Sequence, residues 1–440
     1  MENRDTIETR LDRIGDMSLG MRKDELKRMG YDLCYLNLLA AFGVSHTPDE
    51  IEQLTLACMR NYCSSASQFA AFTGSGVDTA GAEETLRTVA FSVDLKPRVL
   101  DTISELQRSS GAFVATYHWG GFRLVSMRLA SFGKYVTVLM DRLTHDPGST
   151  PWDLSRKTDN MSSQWDPLLH QYFGQRLQFV VAEDKTALVR IYRAIETKNL
   201  VMMYPDGNSG WDGPKGKQAR VSVSFLGQTI KVKTGIIRMA LLMQAPVVIL
   251  TAERLANGRV LVDVEDVLHP PPANSSAAAT FINDALQRIY SGLEKCVRLR
   301  PEQWESARHF HRWREPADDP KPDPSPALKH EIEEGLAMRW RYFTDQRRVA
   351  RVVLSGREVL VDARTMCAYE AEPAMLKLLS ECASPEVFAT EWKRFECEPA
   401  RREAFVKLLA LLSVRGLLQT DKQLREPAPA MVEAALSMMS

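Results

Sequence analysis

Short apolar runs separated by helical stretches constrain this chain more than any other feature, and they lie between residues 111 and 267. "GAFVATY", "YVTVLM", "LQFVVA", "LVMMY", "VSVSFLG", "APVVILTAER" and "RVLVDVEDV" are rich in β-branched and aromatic residues and have strand length. Between them, "EDKTALVRIYRAIETK" and "KTGIIRMALLMQ" carry helical periodicity. Such alternation implies crossover connections, which place helices over the faces of a parallel or mixed sheet. The expected core is therefore α/β over 111–315, with a mixed, mostly parallel sheet flanked by helices.

The flanks extend this picture. Residues 1–110 read as helical, with apolar faces in "YDLCYLNLLAAFGV" and "IEQLTLACMRNYCSSASQFAAF" and a helix start at "TPDE". A further helix is expected near 277–297. The segment "REPADDPKPDPSPA" (314–327) holds five prolines without apolar periodicity. Residues 316–327 thus read as a semi-rigid linker that closes a 1–315 core. Beyond it, 328–440 reads as a small α+β accessory domain: a helical piece, the strands "VARVVL" and "EVLVDA" joined by "SG", and three helices.

Composition narrows the function. Fifty-six basic residues balance 56 acidic ones, which argues against nucleic acid as the main ligand. The seven cysteines lack CxxC spacing, so neither a zinc site nor a disulfide framework is expected, and a reduced, cytoplasmic protein is. The charged N-terminus has no hydrophobic signal region. The longest apolar stretch is interrupted by Arg238, Gln244 and Pro246 and falls short of the roughly 20 residues a bilayer span needs, so the chain is not expected to be transmembrane.

Three places suggest chemistry. In "ATYHWGGFRL" (115–124), His118 stands at a strand-to-helix junction, where open α/β sheets place reactive groups. A structural histidine is the plain alternative. Gly120 and Gly121 beside it allow a substrate or a backbone to come close. In "YPDGNS" (204–209), Asp206, Gly207, Asn208 and Ser209 form either an ordinary turn or a polar loop facing the same cleft. Lys215, Lys217 and Arg220 beyond it suit a phosphate or a solvated loop equally. In "VTVLMDR" (136–142), Arg142 follows a strand and suits a phosphate through its planar fork, or pairs with an acid at the surface.

Taken in order, "HWGGFR", "VTVLMDR", "YPDGNS", "VSVSFLGQTIKVKTGIIRMALLMQAPVVIL" and "PEQWESARHFHRW" resemble the lysophospholipid acyltransferase superfamily over about residues 30–314. The closer likeness is to its lipid A lauroyl and myristoyl transferases. That resemblance implies an acyltransferase-like core in which a His-x4-acid motif supplies a general base and its orienting carboxylate, followed by an arginine block and a Pro-acid-Gly block. Here the acid position is Arg123. A carboxylate there would fix the imidazole tautomer, whereas an arginine opposes its positive charge. Asp206 and Asp141 are the remaining candidates to orient His118, and Arg123 and Arg142 the candidates to bind substrate. The 328–440 region resembles winged-helix-like peptide-recognition domains of the pyrroloquinoline-quinone chaperone type. A dimerisation or DNA-binding module fits the same pattern.

The resemblance implies transfer of an acyl group from an acyl carrier protein or coenzyme A thioester to a small-molecule or peptide hydroxyl or amine in specialised metabolism. His118 would be the general base and Asp206 its catalytic partner. Phosphopantetheine or coenzyme A would be a co-substrate, with no resident cofactor and no metal. Arg123, Arg142, Gly120, Gly121, Gly207, Asn208 and Ser209 would contact substrate. The rival readings are a binding or scaffold protein that keeps the fold without turnover, and a thioester hydrolase.

Overall fold

A computed structural model describes residues 30–73, 92–140, 173–182, 184–207, 219–314, 324–338, 340–354, 357–380 and 397–420, with Leu26, Thr88, Phe388, Trp392 and Lys393. The chain divides into two units. One comprises Met1–Tyr35 and Glu52–Glu315, the other Leu36–Ile51 and Pro316–Ser440. The second unit is thus discontinuous, taking a stretch from the helical N-terminal region as well as everything beyond Glu315. Arg142, Asn208 and Ser209, like Asp141, Lys215 and Lys217, lie outside the described residues.

The first unit is built on a seven-stranded sheet. Its strands are β1 (Val93–Leu95), β2 (Ala112–Ala115), β3 (Val136–Met140), β4 (Leu177–Val181), β5 (Leu200–Met203), β8 (Val247–Arg254) and β9 (Val260–Leu268), in the order β1-β9-β8-β2-β5-β3-β4. All neighbours are parallel except β8 and β9, which run antiparallel. This is the expected mixed, mainly parallel sheet. Every residue of β2 and β5 is buried, as befits central strands covered on both faces.

The helices follow from their apolar spacing. Helix Pro97–Ser109 starts on a proline, which tolerates the first turn because its missing N–H would be unsatisfied there. Its Val99, Ile103 and Leu106 recur at helical spacing and are buried in the core that also holds Val114, Val248 and Val262. Helix Ala187–Glu196 and helix Ala278–Leu299 bury comparable stripes.

One strand assignment is corrected. "VSVSFLG" does not enter the main sheet: β6 (Arg220–Phe225) pairs antiparallel with β7 (Gln228–Lys233) as a separate hairpin. Alternation in burial along both strands explains this, since a hairpin needs one apolar face and not two. The inner face meets an aromatic cluster: Phe225 lies edge-on to Tyr290, Trp304 and Phe310 at centroid distances of 5.8, 5.6 and 5.7 Å.

The second unit contains helices Pro326–Ala337, Pro373–Ser380 and Pro399–Val414. Its strands form a three-stranded antiparallel sheet, β11 (Val349–Leu354), β12 (Arg357–Asp362) and β13 (Cys367–Glu370), and a two-stranded one, β10 (Tyr342–Thr344) with β14 (Leu418–Thr420). Three of these strands were not expected: β10, β13 and β14 are three or four residues long, too short to display a period. Asp362 is buried and accepts two hydrogen bonds from Arg348, each 2.8 Å.

Candidate functional site

Parallel register brings two of the expected residues together. Ala115 on β2 pairs with Met203 on β5. His118 and Asp206 each lie three residues beyond that pair, so both chains leave the sheet at its carboxyl edge with these side chains adjacent. That edge is where open α/β sheets carry their sites.

The geometry is close. His118 Nδ1 lies 3.0 Å from Asp206 Oδ1, and the His118 backbone N–H donates to both carboxylate oxygens, at 3.1 and 3.0 Å. A carboxylate only accepts, so the nitrogen facing it carries the proton and Nε2 is left as the basic position. No described residue hydrogen-bonds to Nε2, and the His118 side chain keeps 27% of its surface exposed against 1% for Asp206. Gly207 admits this arrangement, because a Cβ there would lie 3.3 Å from His118 Cε1. Phe122 and Tyr204 flank the imidazole at 4.8 and 5.0 Å between centroids. Burial pushes the Tyr204 phenol well above its usual range, so it stays neutral. Tyr290 Oη donates to Pro205 O at 2.9 Å and steadies the turn that presents Asp206.

Gly120 and Gly121 serve the protein's own backbone. Gly120 has φ +64°, and a Cβ on it would come 1.9 Å from Ala252 O. Gly121 faces the Val260 side chain, 2.1 Å from where its Cβ would stand, and its N–H donates to Ala252 O at 2.8 Å. The space a side chain would need at either glycine is filled by residues of β8 and β9.

Arg123 also has an internal partner. Its Nη1 donates to Glu305 Oε2 at 2.5 Å and to Ser65 Oγ at 2.8 Å. Position 123 therefore faces Glu305, and the carboxylate beside His118 is that of Asp206. Glu305 belongs to a strap that ties the site together. Gln303 O accepts from Gly120 N, Glu305 N donates to His118 O at 2.9 Å, and Ser306 Oγ donates to Asp206 O at 3.3 Å. The Gln303 side chain exchanges two hydrogen bonds with the Arg254 backbone, at 2.9 and 2.7 Å.

Tyr62, Ser65, Arg254, Glu305 and Arg308 join the site without a local sequence pattern that marks them as functional. For Glu305 and Arg308 the sequence offers the block "PEQWESARHFHRW", whose charged residues are interspersed with the buried aromatics Trp304, Phe310 and Trp313; Tyr62, Ser65 and Arg254 lie outside it. Next to Arg308, the His309 imidazole is held well below its ordinary value by burial and by Arg308 and Arg312, so it remains neutral. Among the described residues no group of His, Cys, Asp and Glu is arranged to hold a metal. No helix among them is long and apolar enough to cross a membrane. No protein-family model matches the chain, and no curated protein matches it significantly.

Proposed function

We propose that the first unit is an acyltransferase-like core that moves an acyl group from a carrier-protein or coenzyme A thioester to a hydroxyl or amine. The observation that supports this reading is the His118–Asp206 pair at the carboxyl edge of a mainly parallel sheet, with Nδ1 engaged at 3.0 Å and Nε2 open. In the reaction His118 Nε2 takes the acceptor's proton as the acceptor oxygen or nitrogen bonds to the thioester carbonyl carbon. The C–S bond then breaks, and the departing thiolate takes that proton back from the imidazolium. Asp206 holds the tautomer and balances the transient charge, the role a carboxylate plays in other His–acid pairs. The small second unit fits a module that presents a peptide or carrier protein, since β11 and β13 border its three-stranded antiparallel sheet and, among the described residues, pair only with β12.

The test is mass spectrometry of the full chain with short-chain coenzyme A and carrier-protein thioesters and a panel of hydroxyl and amine acceptors. Acyl-acceptor product is expected. His118→Ala should lower its rate about 10²–10⁴-fold. Asp206→Asn should lower it by about 10³-fold or more through the wrong tautomer. Free acid formed regardless of acceptor would assign hydrolysis instead. Absence of turnover across the panel would favour a binding protein.

A further inference from the structure

Beside the histidine, the protein concentrates positive charge in a place the dyad does not use. Arg123 and Arg308 both lie over the ring of Tyr62, their guanidinium carbons 6.0 and 3.7 Å from its centroid. Arg123 comes from the turn after the two glycines, Arg308 from the strap, and Tyr62 from helix Pro48–Thr73. Glu305 pairs with Arg123. Arg308 makes no ion pair with a described residue, and its buried Nε has no hydrogen-bond partner among them. Arg254, at the end of β8, adds a third guanidinium within electrostatic reach of Glu305 and Arg123. Burial pushes Arg254 down to about 10, with Glu305 opposing that change and Arg123 reinforcing it. Glu305 balances one of the two arginines over Tyr62, which leaves an excess positive charge that an anion would offset.

We propose that Arg308, reinforced by Arg123, forms a phosphate subsite next to the His118–Asp206 pair. Arginine suits that ligand because its planar fork donates two parallel hydrogen bonds to phosphate oxygens. Arg308 is only partly buried, and its Nε has no hydrogen-bond partner among the described residues. The Tyr62 ring fixes the plane of the Arg308 fork by stacking against it, which limits the entropy lost on binding. Glu305 keeps Arg123 in place and connects the subsite to the reacting centre, because its backbone N–H holds the His118 carbonyl. The phosphate belongs either to the pantetheine arm of the donor or to the acceptor. This choice rests on the acyl-transfer reading, whereas the subsite itself does not.

The experiment is isothermal titration of the full-length protein with inorganic phosphate, pantetheine and phosphopantetheine. Inorganic phosphate should bind, and Arg308→Gln should weaken it roughly 10- to 100-fold. Arg308→Lys keeps the charge without the fork and should recover part of that loss. Unchanged circular dichroism and melting would show that Arg308→Gln is folded. If phosphopantetheine binds more tightly than pantetheine and Arg308→Gln removes the difference, the subsite takes the donor. If the two bind equally while inorganic phosphate still depends on Arg308, it takes the acceptor. Phosphate binding that persists without thioester turnover would retain the subsite and remove the acyl-transfer reading. No phosphate binding, or binding unaffected by Arg308→Gln, would overturn the proposal.

Discussion

Removing the Arg123 guanidinium tests how the site is held. Arg123→Met leaves Glu305 with a buried carboxylate whose Oε1 already has no hydrogen-bond partner among the described residues. Breaking a buried pair from one side costs about 3–5 kcal/mol, mainly because a buried charge is left uncompensated. The Arg123 side chain is 23% exposed and that of Glu305 3%, so the pair is screened mainly on the arginine side. That asymmetry puts Arg123→Met near the lower limit, about 3 kcal/mol. Glu305→Leu should cost less, about 1–2 kcal/mol, because the abandoned arginine still reaches water and the Ser65 hydroxyl. The double variant removes both charges and should be less destabilised than Arg123→Met alone, since an apolar pair often replaces a buried ion pair without loss. The assay is urea unfolding followed by tryptophan fluorescence, with Trp119 and Trp304 both buried beside the pair. The double-mutant cycle should then give a coupling of about 2–3 kcal/mol. An Arg123→Met protein within about 0.5 kcal/mol of the parent would refute the argument, because that is how an exposed surface substitution behaves. Strict additivity in the cycle would refute it equally.

Three more predictions come from the same structure. Gly120→Ala and Gly227→Ala both place a side chain at positive φ, +64° and +72°, but only the first meets a backbone oxygen, at 1.9 Å. Gly227→Ala should therefore cost about 1–2 kcal/mol and Gly120→Ala clearly more; equal melting temperatures would exclude close packing at Gly120. Burial raises the Asp263 carboxyl, but hydrogen bonds from Arg98 and Lys96 outweigh it and bring it down to about 2 from 3.8. A lowered folded value stabilises fully above the unfolded value and is lost as pH falls toward 2. With Lys96 and Arg98 44% and 60% exposed, the contribution is below about 1 kcal/mol, so Asp263→Asn should flatten the stability profile between pH 4 and 2, with its small deficit present at pH 7 and gone near pH 2. A steeper profile in the variant would reverse the sign assigned here. Finally, a chain ending near 320 loses most of the second unit but keeps Leu36–Ile51, which belongs to it. Within that unit Gly43 is so close to Arg347 that a Cβ would lie 2.2 Å from the Arg347 carbonyl. The shortened chain should aggregate more than the full chain in light scattering, and a monodisperse product would show that 36–51 folds without 316–440.

Much of the framework was legible from residue order alone. The runs that became β2, β3, β4, β5, β8 and β9 are short and largely apolar, and helix Ala278–Leu299 shows its period over 22 residues. Both signals are local, so a window of ten or twenty residues contains them. His118 stands out in the sequence because a strand-to-helix junction is also a local pattern. Its pairing with Asp206, 88 residues away, depends on β2 lying beside β5 in parallel with Ala115 opposite Met203. No window contains that register. Arg123 shows the same limit more sharply. Its charge was visible as a departure from the His-x4-acid pattern, but Glu305, 182 residues on, decides what that charge does. The glycines signal close approach in the sequence, and only the packed sheet shows that Ala252 and Val260 approach them. The strands β10, β13 and β14, and the capture of residues 36–51 by the second unit, likewise came from tertiary contacts. Periodicity specifies which face of an element seeks burial. Which partner it finds depends on distant parts of the chain meeting in space.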